Sequence, residues 1–109
     1  MQMMFEYNYD VKVDKAAYDK MFRHIRFLAQ ISVSAAEYLY DDMKKAIDDL
    51  KINPQICSVY IQRNPNDIEL RYKLCGKRRY KIVFEIIGNT VYVYDIQDCR
   101  QNTDKSLVD

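Results

Sequence analysis

Between residues 62 and 81 the chain places seven Lys and Arg against two Asp and Glu, although the whole protein has a formal net charge of only +1. Arg71 and Lys73 stand two apart, as do Arg79 and Lys81. A concentrated basic block on a near-neutral protein suits a local site for phosphate groups better than a generally adhesive surface. The competing reading is a solvated sheet face, the usual fate of a charge run. A fifth cation, Arg100, follows Asp95 and Asp98, which are read as orienting it by ion pairing rather than as a metal site. Arg71, Lys73, Arg79 and Lys81 are therefore the candidate residues for binding an anionic target.

Other reactive side chains carry less. His24 is the sole histidine. It lies at the border of an apolar helical stripe, with no evident catalytic partner, and is read as structural. Cys57, Cys75 and Cys99 are an odd number without metal-ligand spacing, and are read as reduced thiols. No base is apparent to activate Cys75 or Cys99. Neither a metal nor a cofactor is expected. Tyr72, Tyr80, Tyr92 and Tyr94 admit base stacking, but their alternation along strands reads first as a core face.

These side chains need elements to position them. Residues 5–13 alternate apolar and polar with a period of two, a strand. Asp14 stands at a helix N-cap, with a carboxylate able to accept a first-turn N–H. Tyr18, Met21, Phe22, Ile25, Leu28 and Ala29 follow at helical spacing. Ser34 and Glu37 have the spacing of a capping box. Ala36, Leu39, Met43, Ala46, Ile47 and Leu50 give the second helix its stripe, and Asn53-Pro54 ends it. The short link at Ser32-Val33 makes the pair a helical hairpin. Residues 55–66 read as irregular, with a turn at residues 64–67. Strands follow at residues 68–75, 79–87 and 90–97, with turns at Gly76-Lys77 and Gly88-Asn89.

The order predicts an α+β fold: an N-terminal strand, a helical hairpin, then an antiparallel three-strand meander. Both helices should cover one face of a four-stranded sheet. The other face should carry Arg71 and Lys73 beside Arg79 and Lys81, where like charges would repel unless an anionic partner relieved them.

Length and composition bound the rest. With 109 residues, 49% hydrophobic and 30% charged, the chain reads as one globular domain over residues 1–109, with residues 99–109 a polar tail. No apolar run approaches a membrane span, and residues 1–6 lack the features of a secretory signal, so a cytoplasmic protein without membrane contact is expected.

Several segments together resemble a known pattern. Residues 9–19 resemble the first strand and helix start of the RelE/ParE toxins of bacterial type II toxin–antitoxin systems, the plasmid stabilisation proteins. Residues 48–54 look like the end of that family's second helix. Residues 70–74 and 80–86 are similar to its paired central strands, and residues 91–102 to its last strand and terminal basic motif. The resemblance implies a growth-inhibiting toxin held inactive by a cognate antitoxin, in a toxin–antitoxin hetero-oligomer. Carried over by position, Arg71 and Lys73 match the basic residues of the second strand of the pattern. Lys81 matches the cation after the central Tyr, here Tyr80, and Arg100 the Arg after the final strand. In the family's nucleases such positions stabilise the negative charge that builds on phosphorus during cleavage. The resemblance thus makes Lys81 and Arg100 the candidate catalytic residues of a target-binding patch of Arg71, Lys73, Arg79, Lys81 and Arg100. The family's ribosome-dependent mRNA nucleases often add a Tyr, or a His with an acid, near the C-terminus. After Arg100 this chain has neither. That departure favours a binding poison of a target such as DNA gyrase over mRNA cleavage on the ribosome; a nontoxic antitoxin-binding relative is a third reading.

Overall fold

The computed structural model describes residues 9–60 and 68–100. The expected turn at residues 64–67, the first part of the expected strand at residues 5–13 and most of the polar tail lie outside the described residues. Within them the order is β1 (Asp10–Val13), α1 (Lys15–Ala29), α2 (Val33–Asp49), a 3-10 turn (Pro54–Ile56), β2 (Ser58–Tyr60), β3 (Leu70–Cys75), β4 (Tyr80–Ile87) and β5 (Thr90–Asp98). The sheet has five strands in the order β1-β5-β4-β3-β2. The expectation of four strands is corrected by β2, which forms antiparallel to β3 within a stretch read as irregular. Three residues are too few to show a period. The sheet is mixed, because β1 runs parallel to β5 while every other pair is antiparallel.

Both helices pack on one face, as expected. Ala17 and Met21 of α1 and Leu39, Met43 and Ala46 of α2 join Tyr80, Ile82 and Phe84 of β4 and Val91, Val93 and Ile96 of β5 in one buried cluster. Ile82, Phe84 and Ile96 are fully buried. Each such side chain contributes roughly 1.5–3 kcal/mol relative to exposure. Val93 and Ile96 both reach this face although three residues apart. A register shift at Val83/Phe84 leaves Tyr94 as the extra residue of a β-bulge, which resets the alternation.

The caps differ from the sequence reading in detail. Asp14 occupies the N-cap of α1, but its side chain makes no capping bond. Ser32, not Ser34, caps α2, its hydroxyl accepting from the Ala35 N–H at 3.2 Å. Ser34 lies inside the first turn. Spacing alone does not choose between two serines; the extended backbone at Ser32 (φ −155°, ψ 116°) does.

The apolar stripe assigned to α1 is divided between two surfaces. Tyr18 and Phe22 lie outward and exposed. Their rings stack at 6.2 Å, and Phe22 meets Tyr40 of α2 at 6.1 Å. Beside them an outward groove between the helices is lined by Ile25, Ala29, Val33, Ala36 and Tyr40, with Glu37 and Asp41 at its rim.

Candidate basic site at one end of the sheet

Strand register decides which cations share a surface. Cys75 pairs with Tyr80, so the β3–β4 loop has an even number of residues, Gly76 to Arg79. Odd-numbered residues of β3 then oppose even-numbered residues of β4: Lys73 faces Ile82 and Arg71 faces Phe84. Directly opposed residues lie on the same side of a sheet. Arg71 and Lys73 therefore lie on the helix-bearing side of β3, and Lys81 lies on the other side, opposite Leu74. The expectation of one shared face is corrected. Its error was to place the apolar sets of both strands in the core, which an even loop forbids. Leu70, Tyr72 and Leu74 instead lie on the open side, half-buried.

Each basic residue has its own surroundings. Arg71 is half-buried, donating to the Cys57 carbonyl at 2.7 Å and to Glu69 at 2.8 Å. Lys73 is half-buried on the same side. Its charge and that of Arg71 oppose the larger effect of burial, which pushes the Cys57 thiol up. Lys81 lies over two rings of the open face, 4.8 Å from Tyr72 and 5.5 Å from Tyr60. Cation–π contacts of this type are worth about 0.5–1 kcal/mol when exposed. The Tyr60 hydroxyl donates to Gln97 at 3.1 Å, holding its ring beneath that ammonium. Arg100 is bound twice by Asp98, through Nε at 3.1 Å and Nη2 at 3.0 Å, as its spacing led one to expect. Burial works to raise the Asp98 carboxyl, but these bonds from Arg100 hold it below the ordinary range. Asp95 pairs elsewhere, with Lys20 of α1 at 2.6 Å.

Of the four tyrosines read as a core face, only Tyr80 is in the core. Tyr72 and Tyr92 lie on the open side by register, and Tyr94 joins them there through its bond to Glu85. Tyr94 donates to Glu85 at 2.6 Å, and this bond, with some burial, pushes its phenol up to about 12.

His24 is less isolated than its sequence position suggested. Its ring is 5.0 Å from that of Tyr80, and Nε2 lies 3.3 Å from the Ile96 carbonyl. Because a carbonyl can only accept, Nε2 is the donor in this contact and Nδ1 is the ring nitrogen not used in it. Asp98, Arg100 and Arg79 all act electrostatically on the Tyr80 hydroxyl. A His, a Tyr, an Asp and two Arg from three elements thus gather where β4 starts and β5 ends. The sequence has no local signal for this, since His24 and Ile96 meet only through the packing of α1 on β5.

The loop beside this cluster carries two cations that the strand pattern does not single out, Lys77 and Arg78. With Gly76 they have φ of +61°, +57° and +69°. Left-handed backbone costs roughly 1–2 kcal/mol at each side-chain-bearing residue. The surroundings hold the loop in place. The Gly76 N–H donates to Asp42 of α2 at 2.6 Å. The Arg79 N–H donates to the Gly76 carbonyl at 3.1 Å, and the Arg79 carbonyl accepts from Cys99 at 2.7 Å. A Cβ on Gly76 would lie 2.8 Å from the Tyr80 ring and 2.9 Å from Leu39, so the position admits only glycine without rearrangement. Cys75, buried beneath this loop, has its thiol pushed up to about 12 by desolvation and by Asp42, the state of an inert thiol.

No family model matches the sequence, and no curated protein matches it. Solved structures do match. A chain described as "Chromosomal ParDE TA system from P. aeruginosa" superposes with a TM-score of 0.67 at 12% identity, covering 85% of this chain and 98% of that one. The likeness extends over nearly all of both molecules. This chain has the fold of that ParDE chain, the α+β fold that its RelE/ParE-like sequence pattern led one to expect.

Proposed function

We propose that this protein is the toxin component of a type II toxin–antitoxin pair and acts by binding a core target such as DNA gyrase. The observation that carries the reading is the shared fold with the ParDE chain over almost its full length. The exposed apolar surface of the helical hairpin fits an antitoxin partner. Val33, which lines the groove between the helices, is 64% exposed, and Ile31 and Tyr38 elsewhere on the hairpin are 72% and 78% exposed. An amphipathic segment laid into such a groove buries apolar surface while it folds. The cytoplasm, where such targets reside, is the place of action.

Binding rather than cleavage is favoured by the arrangement of the cations. Arg71, Lys73 and Lys81 are divided between the two sides of the sheet, and Lys81 lies against tyrosine rings rather than beside a base. The second reading, ribosome-dependent mRNA cleavage, draws its support from His24 beside Tyr80, Asp98 and Arg100. There Nδ1 of His24 would accept the proton of an attacking 2′-hydroxyl.

Induced expression in bacteria tests the proposal, with growth followed with and without co-expression of any short open reading frame adjoining the gene. Gyrase supercoiling and mRNA 5′ ends are measured in parallel. Growth arrest relieved by the partner, with inhibited supercoiling and unchanged mRNA ends, is the expected result. Harmless accumulation to high level overturns the toxin reading, and new mRNA ends abolished by His24→Ala replace gyrase with the ribosome.

A further inference from the structure

We propose that the β3–β4 turn, Lys77, Arg78 and Arg79, with Arg100 beside it, is a preformed binding element for the phosphodiester backbone of a nucleic acid. This goes beyond the reading above, which concerns a protein target, and it stands on the turn itself.

Three observations point the same way. Among the described residues, the side chains of Lys77, Arg78 and Arg79 are exposed and form no ion pair. The two nearby carboxylates are otherwise engaged: Asp42 accepts the Gly76 N–H, and Asp98 is held by Arg100. The three cations of the turn outnumber the one nearby carboxylate not paired with a cation, Asp42, so a net positive local charge attracts anions.

The turn is also built to keep one shape. Two consecutive side-chain-bearing residues are held in left-handed backbone. The hold comes from α2 through Asp42 and Leu39, from β4 through the Tyr80 ring, and from β5 through the Cys99 N–H. A solvated loop does not need three neighbouring elements to fix a conformation that local sterics disfavour, and strain of this kind gathers at functional positions.

The third observation separates a nucleic acid from an acidic protein. The exposed large apolar residues include Phe27 and Tyr38 on the helices, Ile31 between them and Ile87 at the far end of β4; among the described residues none lies on the turn or within residues 95–100. A specific protein–protein contact needs an apolar core within a polar rim. A phosphate backbone needs cations alone, and its binding is almost wholly electrostatic. The two arginines of the turn, Arg78 and Arg79, add planar donors suited to phosphate oxygens.

The test is fluorescence anisotropy on the full chain, with a short duplex DNA, a single-stranded RNA of equal length and a polyglutamate peptide of matching charge. Salt is varied from about 50 to 200 mM. The variant is Lys77→Asn/Arg78→Asn/Arg79→Gln, with asparagine at 77 and 78 because it tolerates left-handed backbone. The control, Lys15→Gln/Arg26→Gln/Lys45→Gln, removes the same charge from the helices. Three phosphate contacts give duplex DNA a salt slope of about −2.7, a loss of about 40-fold across that range. The turn variant should lose most of that slope and at least about tenfold in affinity, and the control less than about threefold. Arg79→Gln alone, outside the left-handed segment, should remove about one unit of slope and serves should the triple variant fold poorly. Stronger binding to DNA or to RNA identifies which nucleic acid the turn contacts, and either supports the proposal. Equal losses in variant and control, or polyglutamate bound as tightly as both nucleic acids, overturn it. Growth arrest by the parent without nucleic-acid binding overturns the proposal and leaves the toxin reading standing. Turn-dependent binding without growth arrest does the reverse.

Discussion

The two hairpin turns of β4 invite comparison. Each contains a glycine at nearly the same angle, φ +61° at Gly76 and +60° at Gly88. Gly88-Asn89 joins Ile87 to Thr90 as a two-residue loop in which only the glycine takes a positive φ, the type II′ pattern that local sequence favours. Nothing lies within 4 Å of where a Gly88 side chain would begin. Gly76 opens a four-residue loop with two further left-handed residues, pressed against Tyr80 and Leu39. One turn follows from its own chemistry, and the other is imposed by its neighbours. The imposed turn presents the unpaired cations.

Substitution at the two glycines should expose this difference most strongly. Gly76→Ala adds a steric clash to backbone strain and should lower unfolding free energy by about 2–4 kcal/mol. Gly88→Ala meets open space and should cost only about 1–2 kcal/mol of strain. Urea midpoints at constant m-value measure both, and equal losses would mean that Tyr80 and Leu39 do not constrain the first turn. Asp42→Ala comes next, at about 1–2 kcal/mol for the lost charge-assisted bond at a partly exposed site. It should raise hydrogen exchange at the Gly76 amide while leaving Gly88 unchanged. An unaltered Gly76 exchange rate would show that α2 does not pin the loop.

Two pH effects sharpen the comparison further. Asp98 has a lowered carboxyl in the folded protein, so its share of stability is present above the ordinary carboxylate pKa and is lost as pH falls through the folded value. Asp98→Asn should therefore flatten acid unfolding, and a parental acid limb retained in the variant would exclude Asp98 as its source. The smallest effect belongs to the hairpin of the free turn. The Tyr94 phenol is raised to about 12, so its bond to Glu85 stabilises fully below the ordinary phenol pKa and is lost as pH rises through about 12. Tyr94→Phe should remove one late-titrating phenol from the ultraviolet titration with little change in stability near neutral pH.

Much of the fold was legible because it is local. The Gly88-Asn89 turn, the apolar stripe of α2 and the Asp98–Arg100 pair each arise within a few residues. The face of Arg71 and Lys73 was not, because it depends on the parity of a loop: one residue more or less reverses every side chain of β3. The three residues of β2 become a strand only because β3 offers an edge. His24 reaches Tyr80 and Ile96 through a helix-to-sheet contact that no spacing encodes. The basic character of the site was therefore readable, while its distribution was not. Arg100 was found in its expected pairing, whereas Lys77 and Arg78 drew notice only once their backbone angles were known.

The parallel pairing of β1 with β5 has a consequence for the life of the chain before it is folded. Asp10 pairs with Thr90, so the partner of an early strand leaves the ribosome some eighty residues later. Antiparallel neighbours can zip as they emerge, but this pair has to wait, and long-range pairings of this kind are slow to form. Until β5 arrives, the helical hairpin has no complete sheet on which to bury Met21 or Met43. The nascent protein thus passes through a stage with its inner and outer apolar helix faces both exposed, when a co-synthesised partner would find it most receptive.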